Sequence, residues 1–426
     1  MNSVLRRFFV YFLCLGFVIS LTIFPISANP SYTQNSNSLP VTTEIRGVWL
    51  TNVASGVFYI PWGIERAINQ LAALNFNTIY PVVWNRGYTF YKSPLAKKNT
   101  GSDSQPLLNF IHGKNDFLAK LVKLARSKNL TIMPWFEYGL MTPPDSALAK
   151  LHPDWLTIGQ KGVESISENL IEDMINGVYK QAWLNPLHPE VQNFIRGLIL
   201  EVIKNYNVDG IQIDDHFGMP VQFGYDAFTI QLYQKEHQGK TPPINPFDPK
   251  WMRWRANKIT AFMDSIFKSV KAIKPYAKIS LSPNSQYFAY KYYLQDWENW
   301  VKKDLIDELI LQVYRSEKNS FIQEMSKPAI KSAMKKIPVA IGISTGNLLK
   351  PVDIDQVKEQ VKIVRNQKFA GFSFFYWESL WGYIIPESPY QRRQAFLKMF
   401  DTQALRPLKL KKLSCNYHLL KLNIEF

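Results

Sequence analysis

Cysteine is nearly absent. The 426 residues hold two, Cys14 and Cys415, too few for a disulfide framework or a thiolate metal site. Histidine is scarce as well: there are six, none at the H-x-x-x-H spacing that puts two imidazoles on one helix face. No glycine-rich phosphate fingerprint follows the first apolar strand, which removes the commonest sign of a dinucleotide fold. Helix-turn-helix, zinc-module and RNP-type patterns are missing too, and the formal charge of +16 is scattered along the chain. These gaps set aside thiol chemistry, His/Cys metal chemistry, nucleotide cofactors and nucleic-acid partners. No cofactor and no metal are expected. Acid–base work falls to carboxylates.

What the sequence does hold is apolar and aromatic: 46% hydrophobic residues and 14% aromatic, with 12 Trp and 21 Tyr. That is enough for one large core, and α/β barrels of this size fold as a single domain. Much of the aromatic excess belongs to the core, while the share near strand ends suits a sugar-stacking cleft. The positive balance reads either as an ordinary basic surface or as attraction to an anionic polymer such as cell wall.

Arg6 and Arg7 precede an apolar run from Phe8 to Phe24, and Ala28 then offers a small residue for cleavage. Residues 1–28 are thus laid out as a secretory signal peptide. The run falls slightly short of the ~20 residues of a membrane span, and an uncleaved membrane tether is the alternative. Cys14 lies inside the run and not at its end, which argues against a lipoprotein signal. Export to the periplasm or cell envelope is expected. Residues 29–43 are rich in Pro, Ser, Asn and Thr and read as a flexible linker, and residues 44–400 form the main domain. The stretch 401–426, with Lys409, Lys411 and Lys412, reads as a basic tail whose role no pattern assigns.

Within the main domain, short apolar strands alternate with amphipathic helices eight times. The strands are Ile45 to Val53, Thr78 to Trp84, Thr131 to Glu137, Gly210 to Asp215, Lys278 to Pro283, Glu308 to Tyr314, Pro338 to Ile343 and Gly371 to Glu378. Near-continuous apolarity marks parallel strands buried on both faces. Helix starts are signalled by Pro61, Asp116, Pro189 and Asp353. Eight strand–helix pairs in order predict a closed (β/α)8 TIM barrel. Two connections, Gly139 to Asn185 and Phe217 to Trp251, far exceed the usual ~2–6 residues. Both follow strands at the C-terminal face, where such barrels build their sites.

The sharpest segment is Asp209-Gly-Ile-Gln-Ile-Asp-Asp-His216. Strand period two puts Gln212 and Asp214 on one face, so Asp214 faces the mouth, with Asp215 and His216 just beyond. Adjacent carboxylates repel, which separates their pKa values. Asp215 or His216 could instead cap the loop, and Asp209 reads as a turn residue beside Gly210. The eighth strand ends on Glu378 after Phe374, Phe375, Tyr376 and Trp377. An acid in that apolar company has its pKa raised, as a general acid needs, unless it forms a salt bridge with Arg46. The third strand ends on Glu137. Around these acids the strand ends carry Asn52, Asn85, Asn284, Gln312 and Tyr314, with Trp49, Trp84, Trp135 and Trp377 as aromatic surface. Carboxylates, amides and indoles around one pocket match sugar hydroxyls and C–H faces. Two carboxylates without metal or phosphate motifs point to glycoside hydrolysis, one protonating the leaving oxygen while the other attacks or activates water. The alternatives are a glycan-binding barrel that keeps the cleft without turnover and a hydrolase of α-glucan or exopolysaccharide.

The segments Arg46-Gly-Val-Trp-Leu-Thr-Asn52, Trp135-Phe-Glu-Tyr-Gly139, Trp183-Leu-Asn-Pro186, the Asp209–His216 run and Phe375-Tyr-Trp-Glu-Ser-Leu380 resemble the bacterial glycosyl-hydrolase-like family ten. The resemblance runs in register over about residues 44 to 400, with motif wording nearest cyanobacterial members. It implies a TIM barrel, an envelope location and hydrolysis of polysaccharide, with peptide-stripped peptidoglycan strands as the substrate of a divisome-associated relative. It carries the family's fourth-strand acids onto Asp214 and Asp215 and its eighth-strand acid onto Glu378. The fourth strand also resembles the α-amylase clan, whose nucleophile position matches Asp214. Ser280-Leu-Ser-Pro-Asn284 has no glutamate for that clan's acid, which moves the role to Glu378 or Glu137.

Overall fold

A computed structural model describes residues 42–113, 115–162, 181–347, 350–381 and 386–407. The leader, most of the linker, the tail from residue 408 and the middle of the first long loop lie outside the described residues. Eight parallel strands close on themselves: β1 (Ile45–Leu50), β2 (Thr78–Asn85), β3 (Thr131–Ile132 and Trp135–Phe136), β4 (Gly210–Asp214), β5 (Lys278–Ser282), β6 (Glu308–Gln312), β7 (Val339–Ser344) and β8 (Gly371–Phe375). Each pairs with the next, and β8 pairs with β1, so no edge is left open. This is the predicted (β/α)8 barrel.

The strands are buried almost throughout because helices cover the outside. Asp116 caps the helix Phe117–Ser127 through the Ala119 N–H at 3.0 Å, and Asp353 caps Ile354–Asn366 through the Gln356 N–H at 2.7 Å. The first helix starts at Gly63, two residues past the Pro61 signal. β3 is interrupted where Pro134, lacking an N–H, cannot continue the ladder. β8 stops three residues short of Glu378, at a cis peptide between Phe375 and Tyr376, and a short helix Trp377–Trp381 follows.

The barrel interior is polar along its axis. Trp49 donates from its indole to Gln212 at 2.7 Å, and Gln212 donates to the Ser280 hydroxyl at 3.1 Å. Ser280 and the Tyr80 hydroxyl each donate to Glu308, both at 3.0 Å. Gly47 leaves room for this filling, since a Cβ there would sit 2.8 Å from the Tyr80 ring and 2.9 Å from the Ser373 hydroxyl.

Residues 401–407, the described part of the tail, close the base of the barrel. Ala404–Leu405 pairs in parallel with Thr42–Thr43, and Arg406 enters the bottom of the barrel to pair with Glu308. Sequence reading had no pattern to find this, because one arginine in a basic stretch carries no periodic signal. Breaking the pair leaves the Glu308 carboxylate buried without its cation, a loss of about 3–5 kcal/mol. Arg406→Met is therefore expected to lower the urea midpoint of the whole barrel. An unchanged midpoint would show that Glu308 finds its compensation elsewhere.

The two long loops fold over the mouth together. The first forms a small antiparallel sheet from Met141–Thr142, Leu156–Thr157 and Ala182–Leu184. Asp226 in the second accepts from the Thr157 hydroxyl at 2.9 Å and the Asn185 amide at 3.0 Å, tying one loop to the other.

Candidate active site

β4 delivers Asp214 to the mouth with its side chain inward, as period two requires. One oxygen accepts from the Ser282 hydroxyl at 2.9 Å and from the Gln312 amide at 3.1 Å. The other lies 3.3 Å from Nδ1 of His216, and that nitrogen is 2.8 Å from Asp215. Asn284 donates to the far oxygen of Asp215. The turn is fixed from behind by Gln295, fully buried, whose amide donates to the carbonyls of Asp214, Asp215 and Phe217 at 3.0, 3.2 and 3.1 Å.

Charge divides unevenly in this group. Burial and then the Asp215 charge push the Asp214 carboxyl well above the usual carboxylate range. Burial acts on Asp215 in the same sense, but the facing His216 outweighs it and holds that carboxyl low. Burial opposes a charge on His216, and Asp215 followed by the Asp214 bond overcomes it, raising the ring well above the ordinary imidazole range. Among the described residues, Asp214, Asp215 and His216 are the one trio whose ligand atoms, all within 4.8 Å of one another, could hold a cation.

Glu137 follows β3 and is buried in the same mouth. It accepts from the Thr51 hydroxyl at 2.7 Å and the Asn85 amide at 2.5 Å, and Asn85 also donates to Asn52 at 2.8 Å. Burial raises it to about 7 against those bonds. Tyr314, stacked on Phe375 at 5.5 Å, is held neutral by burial and by the charges of Asp214, Asp215 and Glu137.

Glu378 sits in the first turn of the helix Trp377–Trp381, not on a strand. It accepts from the Ser55 hydroxyl and from the Val57 N–H at 2.9 Å. Its second oxygen is buried without a partner, and burial raises the carboxyl to about 7. Arg46 plays no part in this, being paired with Glu44 at 2.9 Å. The Glu378 turn is instead pinned by Arg392, which donates to the Leu380 carbonyl at 2.7 Å and the Val352 carbonyl at 2.9 Å.

Residues 44–363 match the family described as Glycosyl hydrolase-like 10. The chain belongs to this family. Two relatives of the glycosyl hydrolase-like barrel are similar at low identity. Glycosyl hydrolase YngK of Bacillus subtilis (strain 168) is 24% identical over 343 residues, 70% of this chain and 59% of the relative. Glycosyl hydrolase DigH of Escherichia coli (strain K12) is 23% identical over 333 residues, 68% of this chain and 69% of its own. The match thus spans less than two thirds of YngK. Among solved structures, the PgaB (BpsB) glycoside hydrolase domain from Bordetella bronchiseptica superposes with a TM-score of 0.60 at 14% identity, covering 86% of this chain and all of that one. The catalytic domain of β-amylase from Paenibacillus polymyxa gives 0.54 at 10% identity, covering 84% and 99%. Both show the barrel fold.

In this family 10 barrel the expected site residues fall into two groups. Asp214, Asp215, His216, Glu137, Asn52, Asn85, Asn284, Gln312 and Tyr314 come together at the mouth. Trp135 and Trp377 are buried, with indole N–H groups that have no partner, and Glu378 lies against Ser55 and Val57. Trp49 and Trp84 are not ligand surfaces. Trp49 fills the barrel axis, and Trp84 faces outward against Phe194 with its indole on the Gly139 carbonyl at 2.8 Å. A register shift between Val82 and Trp84 turns the tryptophan out and brings Asn85 in. Thr51, Ser55, Gln295 and Arg392 were missed. Only Thr51 carried a signal, lying two residues beyond Trp49 on the inward face.

Proposed function

We propose that this glycosyl hydrolase-like barrel cleaves O-glycosyl bonds in cell-envelope polysaccharide, with peptide-stripped peptidoglycan strands as its substrate after export. The carrying observation is that acids of differing proton affinity end barrel strands on the same face, Asp214 and Asp215 at the end of β4 and Glu378 just past β8. Asp215 is held ionised against His216, while Glu378 and Asp214 are pushed up by burial. Glu378 serves as the acid that protonates the leaving oxygen, since burial raises its carboxyl to about 7 and leaves it a proton to give. Asp214 acts at the sugar carbon in its ionised form, as base toward water or as nucleophile, with Ser282 and Gln312 donating to the carboxylate. Glu137 and Asp215 support the pair.

The test is a substrate panel: intact peptidoglycan, amidase-stripped strands and α-glucans, with products read by mass. Release of sugars from stripped strands supports the reading, and release from α-glucans alone overturns it. Because stripped strands carry carboxylates and the chain is +16, binding should weaken as salt rises. Affinity that is indifferent to salt and equal for neutral α-glucans would defeat the charge argument.

Activity is expected to survive exhaustive dialysis against chelator, because one ring nitrogen of His216 already bridges Asp214 and Asp215, at 3.3 and 2.8 Å. Loss restored by one divalent ion would make Asp214, Asp215 and His216 ligands instead.

A further inference from the structure

Beyond the carboxylates, a chain of aromatic rings leaves the mouth and crosses the surface of the helix Gln286–Tyr293. It starts at His216, whose ring lies 6.4 Å from that of Tyr293. Tyr293 meets Phe288 at 5.7 Å, Phe288 meets Tyr292 at 5.2 Å, and Tyr292 meets Phe247 of the second long loop at 6.3 Å. Tyr287 stands beside them, 60% exposed, and Phe288 is 40% exposed. The helix begins two residues after Asn284, which holds Asp215, so the ridge is fixed to the site by one short turn. Backbone bonds from Met219 and Val221 to the carbonyls of Tyr293 and Tyr292, both 2.8 Å, hold it against the second loop.

Contiguous exposed rings are disfavoured on a free surface and mark a place where something docks. Here the occupant follows from continuity and charge. The ridge runs on from the mouth, and aromatic faces stack on the C–H faces of pyranose rings. Lys291 lies 5.0 Å above the Tyr287 ring and 5.4 Å above Tyr292, and it donates to the Tyr287 hydroxyl at 2.6 Å. No carboxylate pairs with Lys291 among the described residues, which leaves its charge for a ligand. We propose that the helix Gln286–Tyr293 is an extended subsite, with Tyr287 and Phe288 stacking sugars remote from the cleaved bond and Lys291 meeting an acidic sugar substituent. This rests on the glycan reading of the mouth and makes the substrate a long anionic chain.

Binding in the Asp214→Asn background tests it without need of turnover. The probes are amidase-stripped peptidoglycan strands and their single repeat disaccharide. Tyr287→Ala/Phe288→Ala should weaken strand binding by about 10–100-fold, the scale of losing one or two aromatic anchors. The disaccharide should stay within about twofold, because it does not reach the ridge. Tyr287→Trp/Phe288→Tyr, which keeps both rings, should restore strand binding, and Lys291→Gln should flatten its salt dependence. Equal loss on both probes, or none on the strands, overturns the subsite. Wild-type protein that binds strands through the ridge but never cleaves them would overturn the hydrolase reading and leave this one standing.

Discussion

Asp214→Asn is expected to reduce turnover on the glycan by at least ~100-fold, the usual scale for a positioned acid or base. The swap keeps shape, and the asparagine oxygen can still accept from Ser282 and Gln312. Folding and glycan binding should therefore survive, with an unfolding midpoint close to wild type. A second readout separates chemistry from packing. His216 owes its raised pKa to Asp215 and Asp214 together, so losing one charge should lower the imidazole titration seen by NMR. Wild-type turnover in this variant would remove Asp214 from the mechanism, whatever the histidine does.

Glu378→Gln should act in opposite directions on rate and stability. As the acid, Glu378 must hold its proton, and it does so up to about pH 7. Wild-type activity should then fall as pH rises through that value, and the variant should lose both the activity and this alkaline limb. Stability follows the same proton. The folded carboxyl titrates near 7 and the unfolded one near 4.5, so the native state binds more protons between those values. Stability is fullest below pH 4.5, declines as pH climbs to about 7 and is level beyond. Glutamine carries no charge to bury, so at pH 8 the variant should be the more stable protein, by an amount on the order of 3 kcal/mol. Below pH 4.5 that advantage should vanish. Glu137→Gln should show a similar stability gain yet keep the alkaline limb. If that limb instead disappears with Glu137, the acid role belongs there.

The barrel was legible because buried parallel strands advertise themselves as apolar runs, and Asp214 was legible because strand period two aims it inward. The misreadings share a cause: interactions that override a local pattern. Phe374 to Trp377 looks like continuing strand, but the Ser379 hydroxyl accepts from the Tyr376 N–H at 3.0 Å and donates to the Tyr376 carbonyl at 2.9 Å, closing a turn. Glu378 therefore arrives on a helix, beside Ser55 and Val57 of the loop after β1. Trp84 reads as aromatic surface from its place at a strand end, and one irregular pairing with β3 turns it outward. Thr51 obeyed the rule but is too common a residue to stand out. Gln295 and Arg392 act through backbone carbonyls distant in sequence, which no motif or period encodes.

The parallel clasp between Thr42–Thr43 and Ala404–Leu405 gives the molecule a direction. Both ends of the described chain leave from the pole opposite the carboxylates, where Arg406 stops the barrel. Any attachment made through residues ahead of Thr42 would therefore hold the protein by its closed base, with the open face turned outward. A leash at that pole could change length without crossing the substrate's path. It would set how far from its mooring the enzyme works and leave the order of approach to the glycan alone.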